Sequence, residues 1–374
     1  MVIYFNIDSG AKIALDNLVN SGLYRDVSEA ICVSLINYDV IQREAQHDGR
    51  VEISRADLFD DKSPLVHGTN ARPPTLRPTK AEPAVRGQTI PDIFRFPKNA
   101  VTTDQFPPTA EDPRKTEGIG PKHWLFGQYN KLLPVKVTLR GLLNLIASHS
   151  PGVPVVEATR TISTQAWVLG DYFDNLDEKN GASRENALAT AFPTTSRSGS
   201  PGQSRFANQF VLSVNGDGVA TGLPIALKFA AYVDEKTPRI ILSREGAEFA
   251  LLENPLLDQG STQPTKFSPA EVSFLIDHIL KFVPEERSAF KIILSAISDG
   301  ARTPKALDTF LSGNYADSTM TAAFLSLQRS GVMSRLIDLQ LARRLREGTH
   351  VTYDLSESGA DVLKQISAAE AASH

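Results

Sequence analysis

One phrase of nine residues occurs twice in this chain with small changes. Residues 242–250 read LSREGAEFA, residues 355–363 read LSESGADVL, and each copy follows a short run of β-branched or aromatic residues. A strand-like run followed by a serine that can cap a helix predicts the same strand-to-helix connection in both places. Because the phrase is long, we expect one kind of fold to recur in the chain.

The second copy lies in the more regular surroundings. Apolar spacing predicts three helices, over 284–298, from Thr303-Pro304 to about Leu311, and from Asp317 or Ser318 through Ile337. Residues 341–355 then form two strand-like runs around a turn at Gly348, and Ser356 caps the next helix. Three helices and then a basic hairpin resemble the winged-helix regulators of the MarR and PadR type, over residues 283–368.

The resemblance implies which side chains meet DNA. A winged helix places its third helix in the major groove and its wing along the backbone or the minor groove. Glutamine can then pair with adenine and arginine with guanine. The outward polar residues of the third helix would be Thr319, Thr321, Ser326, Gln328, Arg329, Ser334 and Arg335, and the wing would supply Arg343, Arg344, Arg346 and His350.

The charge of this region points the same way. From Arg329 to His350 five arginines accompany two acids, Asp338 and Glu347, so the region is locally basic in a chain whose net charge is −4. Basic side chains bind phosphates, which makes this excess the strongest functional signal in the sequence. Two other interpretations stay open: Arg343 and Arg344 can be ion-paired strand residues, and winged helices also serve as protein-interaction modules.

The first copy of the phrase predicts a second winged helix over residues 124–257. By the same reasoning, Ser243 caps a helix that follows an earlier wing. The first helix of this module is predicted over 132–148 and the second over 161–176. Residues 195–205, rich in serine and glycine, interrupt the pattern, and the sequence does not place the third helix.

The first 45 residues carry a different pattern. Residues 2–8 alternate apolar and polar side chains as a strand does, and two helical patterns follow, one after Ser9 and one after Asp26. Strand, helix, helix resembles the ribbon-helix-helix family of Arc, MetJ and CopG-like repressors and ParD-like antitoxins. A single strand leaves its backbone unpaired, so this unit implies a dimer through a shared two-stranded ribbon.

In that family the outward side chains of the ribbon enter the major groove, which assigns Tyr4, Asn6, Asp8 and Ser28 to DNA contact. Asparagine can read adenine. However, acids outnumber lysine plus arginine over residues 1–45, and phosphates would repel Asp8. The sequence leaves DNA reading and pure dimerisation by this ribbon equally open.

Prolines accumulate after the ribbon unit, which predicts an extended linker. The expected domains are therefore 1–47 for the ribbon unit, 48–122 for the linker, 123–268 for the first winged helix and 269–374 for the second. Within the linker, residues 90–97 are apolar enough to dock on a folded neighbour. They are either a tethered surface segment or a motif that binds a protein partner.

Composition excludes several classes of protein. Of the 374 residues 41% are hydrophobic and 22% charged, an ordinary globular balance with no apolar run long enough for a membrane span. The start of the chain lacks a signal-peptide pattern and Cys32 is the single cysteine, so we expect a cytoplasmic protein. No Cys/His cluster, phosphate loop or nucleophile motif is present, so we expect no metal, no cofactor and no enzymatic activity.

The sequence thus predicts a mainly α-helical fold with small β elements, in which a ribbon-helix-helix domain dimerises and tandem winged helices follow. The expected function is that of a dimeric protein that binds double-stranded DNA, most simply a prokaryotic transcriptional regulator. Two alternatives stay open. One is a DNA-binding or scaffolding subunit of a larger complex for defence or plasmid maintenance, and the other is a plasmid replication initiator.

Overall fold

A computed structural model describes residues 89–97, 100–112, 116, 118–149, 152–183, 186–196, 199–214, 218–233, 237–258, 265–315 and 320–372. The chain divides into two units, residues 1–84 and 85–374, and the described residues all belong to the second. The fold of this unit is mainly helical with small antiparallel sheets, as predicted. The predicted ribbon-helix-helix domain with Tyr4, Asn6, Asp8 and Ser28 lies outside the described residues, as does Thr319.

The middle module, residues 133–251, begins with the two long helices that the apolar spacing predicts. Helix α2 starts earlier than predicted, at Val155, directly after a short strand that ends at Pro154. Although α2 has 25 residues, neither it nor any other described helix is apolar enough to cross a membrane. The elements so far are α1 (Leu133–His149), β1 (Val153–Pro154) and α2 (Val155–Lys179).

The Ser/Gly-rich stretch leads into short elements instead of one long third helix. The last helix before the hairpin has only four residues, and no apolar periodicity can show in so short a segment. The elements are α3 (Gly199–Phe206), a π turn (Ala207–Val211), β2 (Ser213–Val214), β3 (Ala220–Thr221), α4 (Leu223–Ala226), β4 (Ala230–Val233), β5 (Arg239–Leu242) and α5 (Arg244–Leu251).

Three of these strands form one antiparallel sheet in the order β1-β5-β4. In this sheet Val153 lies opposite Ile240, and Tyr232 lies opposite Ile240 from the other side. The strand between α1 and α2 therefore pairs with the second strand of the hairpin, so the hairpin is tied to the helices by backbone hydrogen bonds. Strands β2 and β3 pair separately as a second small hairpin.

The C-terminal module, residues 284–371, has three helices, a hairpin and a last helix, in the predicted order. The first helix has the predicted bounds. The predicted start of the third helix at Asp317 or Ser318 is wrong, because the Thr321 hydroxyl accepts a hydrogen bond from Phe324 N and caps a helix that begins at Ala322. The elements are α6 (Pro269–Phe282) before the module, then α7 (Pro284–Ser298), α8 (Pro304–Tyr315), α9 (Ala322–Asp338), β6 (Ala342–Glu347), β7 (His350–Leu355) and α10 (Glu357–Ala371).

The serines of the repeated phrase make the same contacts in both modules. Ser243 caps α5 by accepting a hydrogen bond of 3.0 Å from Gly246 N, and Ser356 caps α10 by accepting one of 3.0 Å from Gly359 N. Each serine hydroxyl also donates backwards to a carbonyl that precedes the hairpin. The predicted role of both serines as helix caps is confirmed, and each one also holds the hairpin closed at its base.

The glycines of the phrase allow the helix to approach the start of the hairpin. A Cβ at Gly246 would lie 2.1 Å from Phe229 O, and one at Gly359 would lie 2.0 Å from Leu341 O. Both distances are far below van der Waals contact. Any side chain at either glycine would therefore push the helix off the hairpin, which explains why the phrase keeps a glycine three residues after its serine.

A further correspondence lies just before each hairpin. Lys228 and Gln340 are the two described non-glycine residues with positive φ, at 59° and 60°. Each ends the preceding helix in a left-handed turn, in which the next residue donates its N–H back to the last helical turn. Helices α4 and α9 thus occupy equivalent places, although α4 is far shorter.

One continuous hydrophobic core runs through both modules and includes part of the predicted linker. In the segment over 90–97 Phe94 is fully buried, and the Asn144 amide on α1 donates to Ile93 O at 2.9 Å. Burial of a phenylalanine stabilises a fold by roughly 1.5–3 kcal/mol. The segment docks on the folded body, as its apolar character predicts. Its most buried side chain, Phe94, packs inside the same chain.

A buried ion pair fixes the position of α6, the helix that joins the two modules. The Lys136 ammonium of α1 lies 2.9 Å from Glu271 on α6, and both side chains are inaccessible to solvent. Lys136 also donates to Phe249 O at 2.6 Å. Burial lowers the pKa of Lys136 to about 8, and the Glu271 charge opposes this shift. Removal of either partner would leave the other charge buried without compensation.

Candidate nucleic-acid interface

Helix α9 is the predicted recognition helix, and three of its predicted DNA-contacting side chains are buried. Thr321 is exposed, but it caps the helix, and Ser326 is half-buried. The solvent-exposed fractions of Gln328, Arg329 and Arg335 are only 2%, 8% and 0%. The prediction that these three side chains point outward is therefore wrong.

Arg335 forms a buried bidentate ion pair. Its Nε and Nη2 donate to the two carboxylate oxygens of Glu286 on α7, at 2.5 and 2.8 Å. Its Nη1 donates to Tyr129 O at 2.5 Å. A guanidinium with three such partners holds α9 between α7 and the chain before α1, and it has no surface to offer to a base edge.

The chain itself covers the side of α9 that was expected to face DNA. Gln328 donates from Nε2 to Pro121 O at 2.8 Å. One turn later, a Cβ at Gly331 would lie 2.4 Å from Gly127 O, so the backbones of α9 and residues 121–130 are in direct contact. Arg329 pairs with Asp308 on α8 at 2.7 Å. These three contacts show that α9 is packed as a core helix along this side.

The hairpin β6–β7 does expose the predicted basic residues. Arg343, Arg344, Arg346 and His350 are all exposed. Because side chains alternate across a strand and opposite residues share a face, the register divides them into two pairs. Arg344 and Arg346 lie opposite Tyr353 and Val351 on what we call the inner face, and Arg343 and His350 lie opposite Asp354 and Glu347 on the outer face.

The two faces differ in the residues that lie opposite their basic side chains. On the outer face each predicted basic residue lies opposite an acid, and Asp354 is also 3.5 Å from Arg302. On the inner face Arg344 and Arg346 lie opposite an aromatic and an aliphatic residue. The interpretation of Arg343 as a strand residue with an acidic partner is thus compatible with its position, and the inner face bears the two exposed arginines Arg344 and Arg346.

Two lysines from other elements add to the charge of the inner face. Lys131 precedes α1 and Lys266 precedes α6, and Lys266 lies 2.9 Å from the buried Asp338 at the end of α9. Burial is the main reason that the pKa of Lys131 lies below its usual value; Asp338 opposes the shift, while Lys266 and Arg344 add to it. We call Lys131, Lys266, Arg344 and Asp338 the basic cluster. Sequence reasoning missed the two lysines, because neither belongs to the hairpin or to α9.

Arg346 has a second function at the turn of the hairpin. Its Nε donates to Gly348 O at 3.0 Å, and Gly348 has a φ of +61°. A left-handed residue at this position lets the two strands turn tightly. Arg346 therefore stiffens the tip of the hairpin while its charge stays at the surface.

A cleft of about 490 Å³ lies between the two modules, a volume within the range of small-molecule sites. Phe192 and Phe206 of the middle module form one part of its wall and Leu327 and Ser330 of α9 another, with the exposed Arg205 at the rim. Both modules thus contribute side chains to one concave surface.

Comparison with known proteins gives no relative for this chain: no family model, no curated protein and no solved structure matches it.

Proposed function

We propose that this chain binds double-stranded DNA through the inner face of the hairpin β6–β7. The observation that carries the proposal is the exposed pair Arg344 and Arg346 on one face, with Lys131 and Lys266 beside the base of that face. Four cations from three separate parts of the chain point to a linear anion, since each DNA phosphate is a fixed negative charge. The resemblance of the C-terminal module to a winged helix supports the same assignment.

The proposed contact is with phosphates and not with base edges. Phosphate contacts fix affinity and position, whereas base contacts specify sequence. With Gln328, Arg329 and Arg335 inside the protein, α9 contributes no base contact through them. The DNA sequence would then be read by the proposed N-terminal ribbon, through Tyr4, Asn6, Asp8 and Ser28. The same ribbon is the proposed dimer contact. Two linked chains gain affinity because the second contact forms at a high effective concentration.

We therefore propose a dimeric transcriptional regulator whose hairpins hold the duplex while another element selects the site. The experiment that tests it is a fluorescence-anisotropy titration of labelled duplex at several salt concentrations. Replacement of Arg343, Arg344 and Arg346 by alanine is expected to weaken binding. It is also expected to reduce the slope of log affinity against log salt by about 0.9 for each phosphate that the variant no longer neutralises, up to about 2–3 in total.

A matched control removes the same charge elsewhere. Arg160, Lys179 and Lys364 are exposed and lie on α2 and α10, away from the hairpin in the chain. Their triple alanine variant has the same net charge as the hairpin variant and is expected to keep most of the salt slope. Equal reductions of affinity in both variants would mean that binding depends on general charge and not on the hairpin.

A second candidate function is an assembly subunit that binds partner proteins. The burial of three predicted base-reading side chains of α9 favours it. With Gln328, Arg329 and Arg335 inside the protein, α9 cannot use them to read bases in the major groove. Recovery of the chain with a stoichiometric protein partner, and without duplex retention at moderate salt, would select this function over DNA binding.

A further inference from the structure

The cleft of about 490 Å³ between the two modules has walls that the fold holds in place. Residues 189–194 form one wall, and α2 fastens this segment at both ends. The Asp177 carboxylate accepts a hydrogen bond from Ala189 N at 2.9 Å, and the Asp171 carboxylate accepts one from Thr195 N at 2.7 Å. Because the wall is fixed without a ligand, a ligand would lose little binding energy to the ordering of the protein.

A second wall consists of α9 and the chain before α1. A Cβ at Gly127 would lie 2.4 Å from Leu327 O, so the two backbones are in direct contact there. Gln128 from the chain before α1 and Ser330 from α9 line the cleft beside this contact. A ligand in the cleft would therefore touch side chains of both modules.

A third wall is one side of α3 and of the π turn that follows it. The residues of this side that line the cleft are Gly202, Arg205, Phe206, Gln209 and Phe210. Intervals of three and four positions place side chains on the same side of a helix. The wall thus combines a guanidinium and a carboxamide with aromatic rings.

The charge of the cleft comes from Arg205. This arginine is exposed, and no acid among the described residues pairs with it or lines the cleft. The other polar side chains of the lining are carboxamides and hydroxyls, which carry no charge. A guanidinium binds a carboxylate through two parallel N–H groups, so the cleft favours a ligand with one carboxylate.

Two carboxamides from distant parts of the chain meet at the cleft. Gln209 Nε2 donates to Gln128 Oε1 at 2.6 Å. A carboxamide has both donors and an acceptor, so this bond leaves the Nε2 of Gln128 able to donate and the Oε1 of Gln209 able to accept. The last residue of a peptide offers the complementary groups, since its N–H donates and its carboxylate accepts.

The rest of the lining is apolar. Phe192 and Phe206 stack with their ring centroids 5.5 Å apart, and Ala191 and Leu327 add aliphatic surface. Burial of an aliphatic side chain against such a surface stabilises a complex in proportion to the apolar area removed from water. The lining therefore suits a peptide that ends in an apolar residue such as leucine.

We infer that this cleft binds the carboxyl-terminal residue of a short peptide. Arg205 and the Nε2 of Gln128 bind the carboxylate, and the Oε1 of Gln209 accepts the N–H of the same residue. The inference goes beyond the proposed function and does not depend on it, because these three residues lie outside the hairpin β6–β7.

The test is isothermal titration calorimetry of the whole chain with acetylated alanyl-alanyl-leucine as the probe. We expect saturable binding of one peptide per chain. The same peptide with a carboxamide in place of its carboxylate is expected to bind about tenfold more weakly, because a hydrogen bond to a charged group is lost. Equal affinities of the two peptides, or an absence of saturable binding, would overturn the site without any variant being needed.

The variant Arg205→Gln shows whether the arginine is the group that recognises the carboxylate. It is expected to bind the free acid about tenfold more weakly than the wild-type chain does, and to bind the carboxamide peptide with unchanged affinity. Arg160→Gln is the matched control, because Arg160 is an exposed arginine of α2 that is not among the residues lining the cleft, and its affinity for both peptides should be that of the wild-type chain. An Arg205→Gln variant that still prefers the free acid to the same degree would overturn the assignment.

Discussion

The middle and the C-terminal modules end in the same construction but differ in the helix before it. In both, a left-handed residue ends a helix, a hairpin follows, and a serine caps the next helix across from a glycine. The helix before the hairpin has 4 residues in the middle module and 17 in the C-terminal one. The repeated phrase therefore encodes the exit from a hairpin, and the helix before the hairpin varies independently of it.

The two hairpins also differ in what their arginines do. In the middle module Arg239 donates to Gly152 O at 2.5 Å, and β5 pairs with β1 as well as with β4. In the C-terminal module one backbone bond, from Tyr353 N to Arg302 O at 2.7 Å, takes the place of that third strand. The middle hairpin is therefore held within a sheet, whereas the C-terminal hairpin keeps its arginines exposed.

The strongest test of the equivalence of the two modules is to add a methyl group at Gly246 and at Gly359, the two glycines of the repeated phrase. Gly246→Ala and Gly359→Ala both place a Cβ about 2 Å from a backbone carbonyl oxygen. Each is expected to lower the free energy of unfolding by about 3 kcal/mol, as severe overpacking does. Gly313→Ala is the control, since nothing lies within 4 Å of its Cβ. Urea denaturation measures all three, and a neutral result at one phrase glycine would end the equivalence of the two modules.

A second effect arises where α6 packs against the middle module. His278 of α6 stacks on Phe229 with ring centroids 4.0 Å apart, and its Nε2 donates to Leu227 O at 2.7 Å. Burial lowers the pKa of His278 to about 4. Because the unfolded chain, with a histidine pKa near 6.5, binds more protons between these values, stability falls as the pH drops through this window.

His278→Gln is therefore expected to remove about 2 kcal/mol of the stability change that the wild-type chain shows between about pH 6.5 and pH 4.5. Denaturation of both proteins across this range gives the difference directly, because the carboxylates titrate alike in both. Parallel pH profiles would show that His278 does not titrate as its burial requires.

A smaller effect is expected from the two capping serines. Ser243→Ala and Ser356→Ala each remove a helix cap, which costs about 1 kcal/mol. Ser312→Ala, at an exposed position of α8, is expected to change stability by less than about 0.5 kcal/mol. Thermal unfolding of the double serine variant should show the sum of the two single effects, and a clear departure from additivity would mean that the two hairpin exits are coupled.

The smallest effect distinguishes the two left-handed residues. Gln340→Gly is expected to stabilise the fold by about 0.5 kcal/mol, because glycine adopts positive φ without strain. Lys228→Gly relieves the same strain but removes the ion pair with Asp112 at 2.9 Å, so its gain should be smaller. Equal gains in chemical denaturation would show that this ion pair contributes nothing.

The local features of the fold could be predicted from the sequence because they depend on neighbouring residues. Helix α7 has its predicted bounds, and the caps at Ser243 and Ser356 follow from the serine and the glycine three positions later. The four-residue α4 could not be predicted, since its position is fixed by the hairpin after it and not by any period of its own.

The candidate site was predicted only in part, because burial depends on distant partners. Arg335 finds its acid, Glu286, 49 residues away in the chain, and Gln328 finds its acceptor 207 residues away. One signal in the sequence points to their burial: Gln328, Arg329 and Arg335 each lie three or four positions from Leu325 or Val332, on the apolar stripe of α9. The arginines of the hairpin are exposed, as the basic character of this short segment predicts.

Which of the two hairpins touches DNA can be measured in one experiment. Hydrogen exchange of the whole chain, followed by mass spectrometry with and without a saturating duplex, reports on residues 342–355 and 230–242 together. We expect the duplex to slow exchange in the C-terminal hairpin and to leave the middle hairpin unchanged. Slower exchange at 230–242 with no change at 342–355 would contradict DNA binding through the C-terminal hairpin.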